Sequence, residues 1–335
     1  MRPDSSQDFL KERHPMQKLK LFSALFCSLC FLYGGFLAAQ VNPVQVEGSL
    51  GNQGNKLRII SFGAHPDDAE IRSGGSAILW TAHGGEVAFV STTNGDIGHW
   101  REAGGPLAKR RYDEAQKAAA VLGIKSSTVW DVHDGELEVN MENRRRFIRD
   151  VRNWKADIVI GHRPNDYHPD HRYTGLLMQD AAFMVQVPFI CPDVDPLDKG
   201  PLFLYSYDSF QNPPFRIDIA VALDDVIEQK IDALLTMESQ FVEGGALGRL
   251  DPRATSTDPQ VKDEMRTAVR ESFRKRFANT ANVAREKLIE LYGEEIGSKV
   301  KYAEVFEVCE YGRGGGRIQL SAEELRTLFP FITKK

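Results

Sequence analysis

The chain has 335 residues, a formal charge of −5 at neutral pH, 42% hydrophobic residues and 27% charged residues. This balance is typical of globular proteins, and it excludes a disordered acidic tail, a collagen-like repeat and a polytopic membrane protein. The chain lacks the strong basic excess of nucleic-acid binders, so we expect no nucleic-acid partner. Its length allows one large domain or two of average size.

The first 39 residues have the features of a secretory signal peptide. Two lysines precede an apolar run over 21–37, which ends in the small residues Ala38 and Ala39. We expect cleavage near Ala39 and export to the periplasm or the extracellular space, with translation starting at Met1 or Met16. The alternative is an uncleaved anchor, because the run just reaches the length of about 17 residues that a spanning helix needs. The protein would then contact a membrane only through this leader.

The four cysteines add little to the functional interpretation. Cys27 and Cys30 lie inside the apolar run, so we expect no redox or zinc role for them. Only Cys191 and Cys309 remain after cleavage. They either form one disulfide bond or stay as two buried thiols.

After a polar linker over 40–56, short apolar runs alternate with amphipathic stretches. The runs predict buried strands and the stretches predict helices. We expect strands over 57–62, 87–91, 128–132 and 158–160, and helices over 71–83, 108–122 and 142–154. This alternation of strands and helices predicts an α/β fold with a Rossmann-like, doubly wound, mostly parallel sheet and helices on both faces. Ligands in such folds bind beyond the carboxyl ends of the strands.

The second half continues the pattern with more helix. We expect strands over 202–206, 216–221 and 303–310, a helix over 224–241, a loop over 252–259 and a long charged helix over 263–292. A turn and a short helix follow over 311–335, and Ser321 and Glu324 form the pattern of a capping box. The simplest division is one domain over 57–310, with 263–292 as a helical elaboration packed on it. Its alternatives are a wall of the substrate cleft or a dimer contact, and the oligomeric state is not predicted.

Two of the predicted strands run into loops rich in histidine and aspartate. Because both loops follow central strands, they can converge on one ion. Two histidines and one carboxylate, with an open position, are typical of a catalytic metal site. Either segment alone is a weak signal, since a lone His-Asp pair is commonly a loop cap. The candidates are His65, Asp67 and Asp68 in the first loop, and His168, Asp170 and His171 in the second.

The segments AHPDDAE (64–70) and HPDH (168–171) resemble the two signature motifs of the PIG-L/LmbE-like N-deacetylases, a zinc-dependent family. The resemblance covers most of residues 57–308. It departs from the family at Met237, where many members have histidine, so substrate contact or packing can differ there. The supporting segments are TNGD (93–96), RRYDEAQKAAAVLGI (110–124), DGEL (134–137), KIDAL (230–234), SQ (239–240) and YAEVF (302–306).

The resemblance implies a role for each candidate residue. The ion would be zinc, with iron(II) as the alternative, because such ligands accept several divalent metals. A carboxylate beside a metal-activated water can accept its proton. The implied assignments are metal binding by His65, Asp68 and His171, the general base at Asp67, the general acid or oxyanion stabilisation at His168, and orientation of a histidine by Asp170.

The implied reaction is hydrolysis of the N-acetyl group of an N-acetylglucosamine-type sugar or glycoconjugate, which releases acetate and a free amine. The loop over 92–101 follows the second strand and is expected to form a sugar-binding rim, with Trp100 either stacking on the sugar or packing internally. The candidate substrate contacts are Asn94, Asp96, Trp100 and Arg101.

Two other functions stay open: a metal-dependent hydrolase of another amide or ester, and a non-catalytic carbohydrate-binding protein of the same fold. Retention of both Asp67 and His168 argues against the second. We expect a packing role for His162, and solvent or Glu114 contacts for Arg110 and Arg111.

Overall fold

The computed structural model describes residues 56–312 and 319–332. The predicted signal peptide, nearly all of the linker and most of the C-terminal turn lie outside the described residues. Within the described ranges, no helix is both long and apolar enough to cross a membrane.

A seven-stranded sheet forms the centre of the described chain. Its strands are β1 (Arg58–Gly63), β2 (Glu86–Ser91), β3 (Ser126–Val129), β4 (Ile158–Gly161), β5 (Leu202–Ser206), β6 (Ile219–Ala222) and β7 (Ala303–Val308). Their spatial order is β3-β2-β1-β4-β5-β7-β6. Strands β1 to β5 pair in parallel, whereas β7 is antiparallel to both β5 and β6. The predicted α/β fold with a mostly parallel sheet is therefore confirmed.

Helices cover both faces of this sheet. They are α1 (Asp68–Ala82), α2 (Gly105–Leu122), α3 (Met141–Trp154), α4 (Pro169–Met184), α5 (Ile227–Leu235), α6 (Glu238–Phe241), α7 (Pro259–Val283), α8 (Arg285–Tyr292), α9 (Glu294–Gly297) and α10 (Ala322–Leu328). Successive side chains of a strand point to opposite faces. Ile59 accordingly joins the apolar cluster under α1, α2 and α8, while Ile60 joins the cluster under α3 and α4.

Several predicted elements have different bounds in the structure. Helix α4 was not predicted, because its first turn lies within the motif that was interpreted as a loop; Pro169 occupies its start and His168 caps it. The predicted helix over 224–241 is interrupted at Met237, and the long helix over 263–292 is two helices that meet at Ala284.

The predicted capping box of Ser321 and Glu324 is present. Cys191 and Cys309 are both free and buried.

A buried ion pair joins α5 to β7, and α7 packs against it. Lys230 of α5 lies 2.5 Å from Glu304 of β7 and 3.6 Å from the ring centre of Phe277 on α7. The Glu304 carboxylate also accepts hydrogen bonds from the backbone N–H groups of Gly75 and Ser76. The KIDAL and YAEVF segments therefore meet in the core, where they join α1, α5 and β7.

Candidate active site

The loop between β1 and α1 is held by its own aspartate. The Asp68 carboxylate accepts hydrogen bonds from the backbone N–H groups of Ala64 and His65, at 3.1 and 2.9 Å. A Cβ atom at Gly63 would lie 2.7 Å from the Asp68 Cβ, closer than real Cβ atoms approach. A side chain at position 63 would thus displace Asp68 or the strand end.

The second loop connects β4 to α4 and is anchored by Arg163. This buried guanidinium donates two hydrogen bonds to the Asp208 carboxylate, at 2.7 and 2.5 Å. Helix α4 approaches the loop closely at Gly175, where a Cβ atom would lie 2.7 Å from the carbonyl oxygen of His162. These contacts fix the start of α4, which carries His168, Asp170 and His171.

The two loops bring three candidate ligand atoms into a nearly equilateral triangle. Asp68 Oδ2 lies 3.4 Å from His65 Nδ1 and 3.4 Å from His171 Nε2, and these two nitrogens are 3.3 Å apart. Ligands that bind a tetrahedral ion at about 2.0–2.1 Å are themselves about 3.3–3.4 Å apart. The spacing and the donor types therefore fit one divalent ion, such as zinc.

Carboxylates on the far side of both imidazoles orient this triangle. His65 Nε2 lies 3.1 Å from Asp134 and 3.3 Å from Asp170, and His171 Nδ1 lies 2.9 Å from Asp166. A carboxylate acceptor fixes the ring proton on the nitrogen that it contacts and leaves the other nitrogen free for a metal. Asp170 thus contacts a histidine, as its implied role requires.

Asp134 and Asp166 were not among the candidates from the sequence. Asp134 belongs to the DGEL segment, whose similarity to the family was the one available signal. Asp166 lies in the second loop, but no spacing rule connects it to His171. Both carboxylates are buried.

The electrostatics of the triangle favour a bound cation. Burial lowers the pKa of His65, but its contacts with Asp134, Asp170 and Asp68 outweigh this effect and hold the pKa well above its ordinary value. His171 behaves in the same way: Asp68 and Asp166 raise its pKa to about 9 despite burial. The surrounding carboxylates therefore stabilise positive charge where a metal ion would lie.

Asp67 lies beside the triangle and precedes the first residue of α1. One of its carboxylate oxygens lies within 4.8 Å of a ring nitrogen of His65 and of a carboxylate oxygen of Asp68. Burial, together with the charge of Asp68, raises the pKa of Asp67 to about 6. A carboxylate with a pKa close to neutral pH is suited to accepting a proton from a nucleophilic water.

The imidazole of His168 packs edge-on against that of His65, with their ring centres 4.6 Å apart. Its Nδ1 accepts the backbone N–H of Asp170, at 3.3 Å. The ring proton is therefore on Nε2, which makes no hydrogen bond with any residue in the described ranges. Burial and the neighbouring imidazoles lower the pKa of His168, so the neutral ring with a free Nε2–H donor is favoured.

Two buried titratable side chains of the motif segments, His162 and Glu70, have strongly shifted pKa values. His162 stacks on His171 with 4.2 Å between ring centres, and its Nε2 accepts the backbone N–H of Ala64. Burial lowers the pKa of His162 to about 3, so the ring is neutral and packs beneath the site. Burial also raises the pKa of Glu70 to about 8, which makes this carboxyl neutral at pH 7.

Two candidate residues of the predicted sugar-binding rim, Asp96 and Trp100, contact other parts of the protein. Asp96 bonds His133 Nδ1 at 2.8 Å and the backbone N–H of Asp134 at 3.1 Å, so it positions the loop that carries Asp134. Trp100 packs against Gly248, where a Cβ atom would lie 2.4 Å from the indole. These placements favour structural roles for both residues over substrate contacts.

The other two rim candidates are polar and accessible. Asn94 donates to Asp131 at 3.3 Å, and the Arg101 guanidinium lies 5.2 Å from the Trp100 ring centre. Arg110 contacts Glu114 as expected, and also Glu243.

The expectation of solvent or Glu114 contacts for Arg111 is wrong. Its side chain is buried and donates to the carbonyl oxygen of Gly98 and to Gln240, so it supports the rim from inside. The sequence could not reveal this, because the partners lie on distant segments.

Comparisons with known proteins agree with this geometry. A family model described as PIG-L, GlcNAc-PI de-N-acetylase, matches residues 60–182. A diacetylchitobiose deacetylase of Thermococcus kodakarensis is 31% identical over 193 residues, which cover 56% of this chain and 71% of that protein. A probable N-acetyl-alpha-D-glucosaminyl L-malate deacetylase of Bacillus anthracis is 25% identical over 56% of this chain and 83% of its own length.

Solved structures share the fold at lower identity. The N,N'-diacetylchitobiose deacetylase of Pyrococcus horikoshii superimposes with a TM-score of 0.57 at 23% identity, over 75% of this chain and 83% of that chain. GalB, a 4-carboxy-2-hydroxymuconate hydratase of Pseudomonas putida, gives 0.60 at 18% identity, over 80% and 99%. The fold thus occurs with different reactions, and the reaction has to be argued from the site.

Proposed function

The chain belongs to the PIG-L family of de-N-acetylases, and from this membership we propose that it hydrolyses the N-acetyl group of an N-acetylglucosamine-type sugar or glycoconjugate with the help of one divalent ion. The products are acetate and a free amine. The observation that carries the proposal is the triangle of His65, Asp68 and His171, with side lengths of 3.3–3.4 Å, beside Asp67 and His168.

An ion held by His65, Asp68 and His171 would polarise the acetyl carbonyl and acidify the attacking water. Zinc is the proposed ion, because nitrogen and carboxylate ligands in a tetrahedral spacing suit it, although iron(II) accepts the same ligands. Asp134, Asp170 and Asp166 hold the two imidazoles in the tautomers that this binding requires.

Asp67 supplies the general base. With a pKa of about 6 it is ionised at neutral pH, and it accepts the proton of the attacking water. It then returns this proton to the departing nitrogen. The Nε2–H of His168 is free to donate a hydrogen bond to the oxyanion that develops on the acetyl oxygen.

We also propose that the protein acts after export. The support is the leader, with its lysines, apolar run and small residues before Gln40. Mass determination of the protein recovered from the medium or the periplasm tests this. A mature chain beginning near Gln40 is expected, and a full-length chain found only in the cytosol contradicts it.

The reaction is tested by measuring acetate and amine release from a panel of N-acetylglucosamine conjugates, simple amides and esters. The metal-loaded protein is compared with Asp67→Asn and with the control Asp113→Asn, whose carboxylate pairs with Lys109 on the surface. Loss of the base should lower kcat by about 10²–10⁴-fold without loss of metal. The control should match the unmodified protein.

Two results contradict the proposal. Full activity of Asp67→Asn overturns the assignment of the base. Hydrolysis of esters or other amides, with no release of acetate from any N-acetylated sugar, moves the function to the second candidate, a metal-dependent hydrolase of a different bond.

A further inference from the structure

A cavity of about 550 Å³ lies between the second loop and α7. This volume is within the range of about 300–1,000 Å³ that is typical of small-ligand pockets. Tyr167, Tyr207 and Phe210 form one part of its lining, and Lys275 and Arg276 of α7 contribute another. Rings of this kind suit the faces of a sugar, and the cations suit an anionic group.

The cavity adjoins the candidate active site through two of its lining residues, Arg72 and Tyr167. Arg72, which also lines it, lies 3.9 Å from Asp68 and 3.6 Å from Asp166. The Tyr167 ring centre is 5.3 Å from that of His171, and the Tyr167 side chain is largely exposed. A molecule whose acetamide occupies the active site can therefore extend into this cavity.

The charges in the cavity are not balanced. Asp208 is the carboxylate among the lining residues, and Arg163 neutralises it with hydrogen bonds of 2.7 and 2.5 Å. Arg72 is paired as well, through Asp68 and Asp166. The side chains of Lys275 and Arg276, by contrast, form no hydrogen bond or ion pair with any residue in the described part of the chain. The cavity consequently carries an excess of positive charge.

The other arginines of α7, unlike Lys275 and Arg276, have carboxylate partners. Arg266 pairs with Glu238, Arg270 pairs with Glu228, and Arg274 pairs with Glu228 and Glu271. Among these α7 residues, the cations without partners are the two that face the cavity.

We propose that this cavity binds an oxyanion, either a phosphate ester or a carboxylate, on the part of the substrate beyond the N-acetylated sugar ring. Arg276 contacts the oxyanion through its planar guanidinium, and Lys275 adds a second charge. The inference rests on the proposed deacetylase function and specifies its substrate class. Helix α7, which carries both cations, lies outside the residues 60–182 that match the family model.

Steady-state kinetics with matched substrates test the proposal. The substrates are methyl N-acetylglucosaminide, its 6-phosphate, and an N-acetylglucosaminide of a hydroxycarboxylic acid. The enzymes are the unmodified protein, Arg276→Gln, Lys275→Gln and the control Arg274→Gln. For at least one anionic substrate, Arg276→Gln should raise KM by about 10-fold or more, the effect of losing a charge-assisted hydrogen bond.

Under the proposal, KM for the neutral substrate changes less than about 2-fold in Arg276→Gln, and Arg274→Gln resembles the unmodified protein for all three substrates, as expected for the loss of surface pairs. The phosphate and carboxylate arms distinguish the two sources of the oxyanion. Equal losses for neutral and anionic substrates, or no loss for either anion, overturn the proposal.

Calorimetric binding separates this inference from the proposed function. In Asp67→Asn, binding of the same three compounds is measured with turnover slowed by about 10²–10⁴-fold. Tighter binding of an anionic compound that Arg276→Gln abolishes supports the cavity assignment even where no acetate is released by the unmodified protein. Acetate release from all three substrates, with equal affinities for all of them, leaves the deacetylase function intact and overturns the oxyanion site.

Discussion

Asp166 accepts a hydrogen bond from Nδ1 of His171 at 2.9 Å, and this contact directs Nε2 of the ring toward Asp68, 3.4 Å away. Replacement of Asp166 by alanine should weaken metal binding by about 10–100-fold, because the ring loses the acceptor that fixes its tautomer and orientation. Competition with a chromogenic chelator measures the affinity. Asp193→Ala is the control, since this carboxylate pairs with Arg149 on the surface. An unchanged affinity in Asp166→Ala would contradict the role assigned to it.

Gly63 should be required for metal binding for a steric reason. A Cβ atom at this position would lie 2.7 Å from the Asp68 Cβ and 3.0 Å from the backbone nitrogen of Ala69. We therefore expect Gly63→Ala to lower both metal affinity and thermal stability. Gly105→Ala is a matched control, because a Cβ atom there meets no atom within 4 Å. If both variants bind metal equally well, the close approach does not constrain the site.

The buried ion pair of Lys230 and Glu304 should contribute to stability and not to chemistry. Lys230→Met leaves the Glu304 carboxylate buried without its cation, which should lower the free energy of unfolding by about 3–5 kcal/mol. Urea denaturation measures the change. Arg270→Met, which breaks a more exposed pair with Glu228, should cost less than about 1 kcal/mol. A small effect of Lys230→Met would show that the helix contacts, and not the pair, hold α5 against β7.

The contact between His133 and Asp96 should depend on pH in a defined direction. The hydrogen bond with Asp96 raises the pKa of His133 above its ordinary value of about 6.5. Its contribution to stability is therefore fully present below that ordinary pKa, and it is lost as pH rises through the raised pKa of the folded state.

NMR titration of the His133 ring measures this pKa, and Asp96→Asn should move it down toward 6.5. The same variant should leave KM for a neutral substrate nearly unchanged if Asp96 positions the Asp134 loop. A large rise in KM with an unshifted His133 pKa would restore Asp96 as a substrate contact.

The sequence allowed the sheet and both motif loops to be predicted because these depend on local patterns. Buried parallel strands have continuous apolar runs, and the loops that follow β1 and β4 carry the residues of the triangle. Helix boundaries were harder to predict. Helix α4 begins inside a motif, and no proline or glycine marks the break at Met237. The antiparallel insertion of β7 between β5 and β6 is a tertiary feature with no local signal.

The contacts around the site were predicted less completely, because they too depend on tertiary structure and have no local signal. Asp134 and Asp166 act through side chains of other segments, and their partners are set by how the loops converge. Arg276 lies in a charged helix, which the sequence predicted to be a helical elaboration packed on the domain. The fold places the Arg276 side chain in the wall of a cavity beside the site. The alternative interpretation of 263–292, as a wall of the cleft, agrees with this placement.

The most direct test of the account is reconstitution of the stripped protein with metal. Acetate release from an N-acetylglucosamine conjugate is measured as zinc is titrated into chelator-treated residues 40–335, alongside His171→Ala. The account predicts no release without metal, a linear rise that ends at one ion per chain, and no recovery in His171→Ala. Full acetate release by the metal-free protein, or equal recovery in His171→Ala, would contradict it.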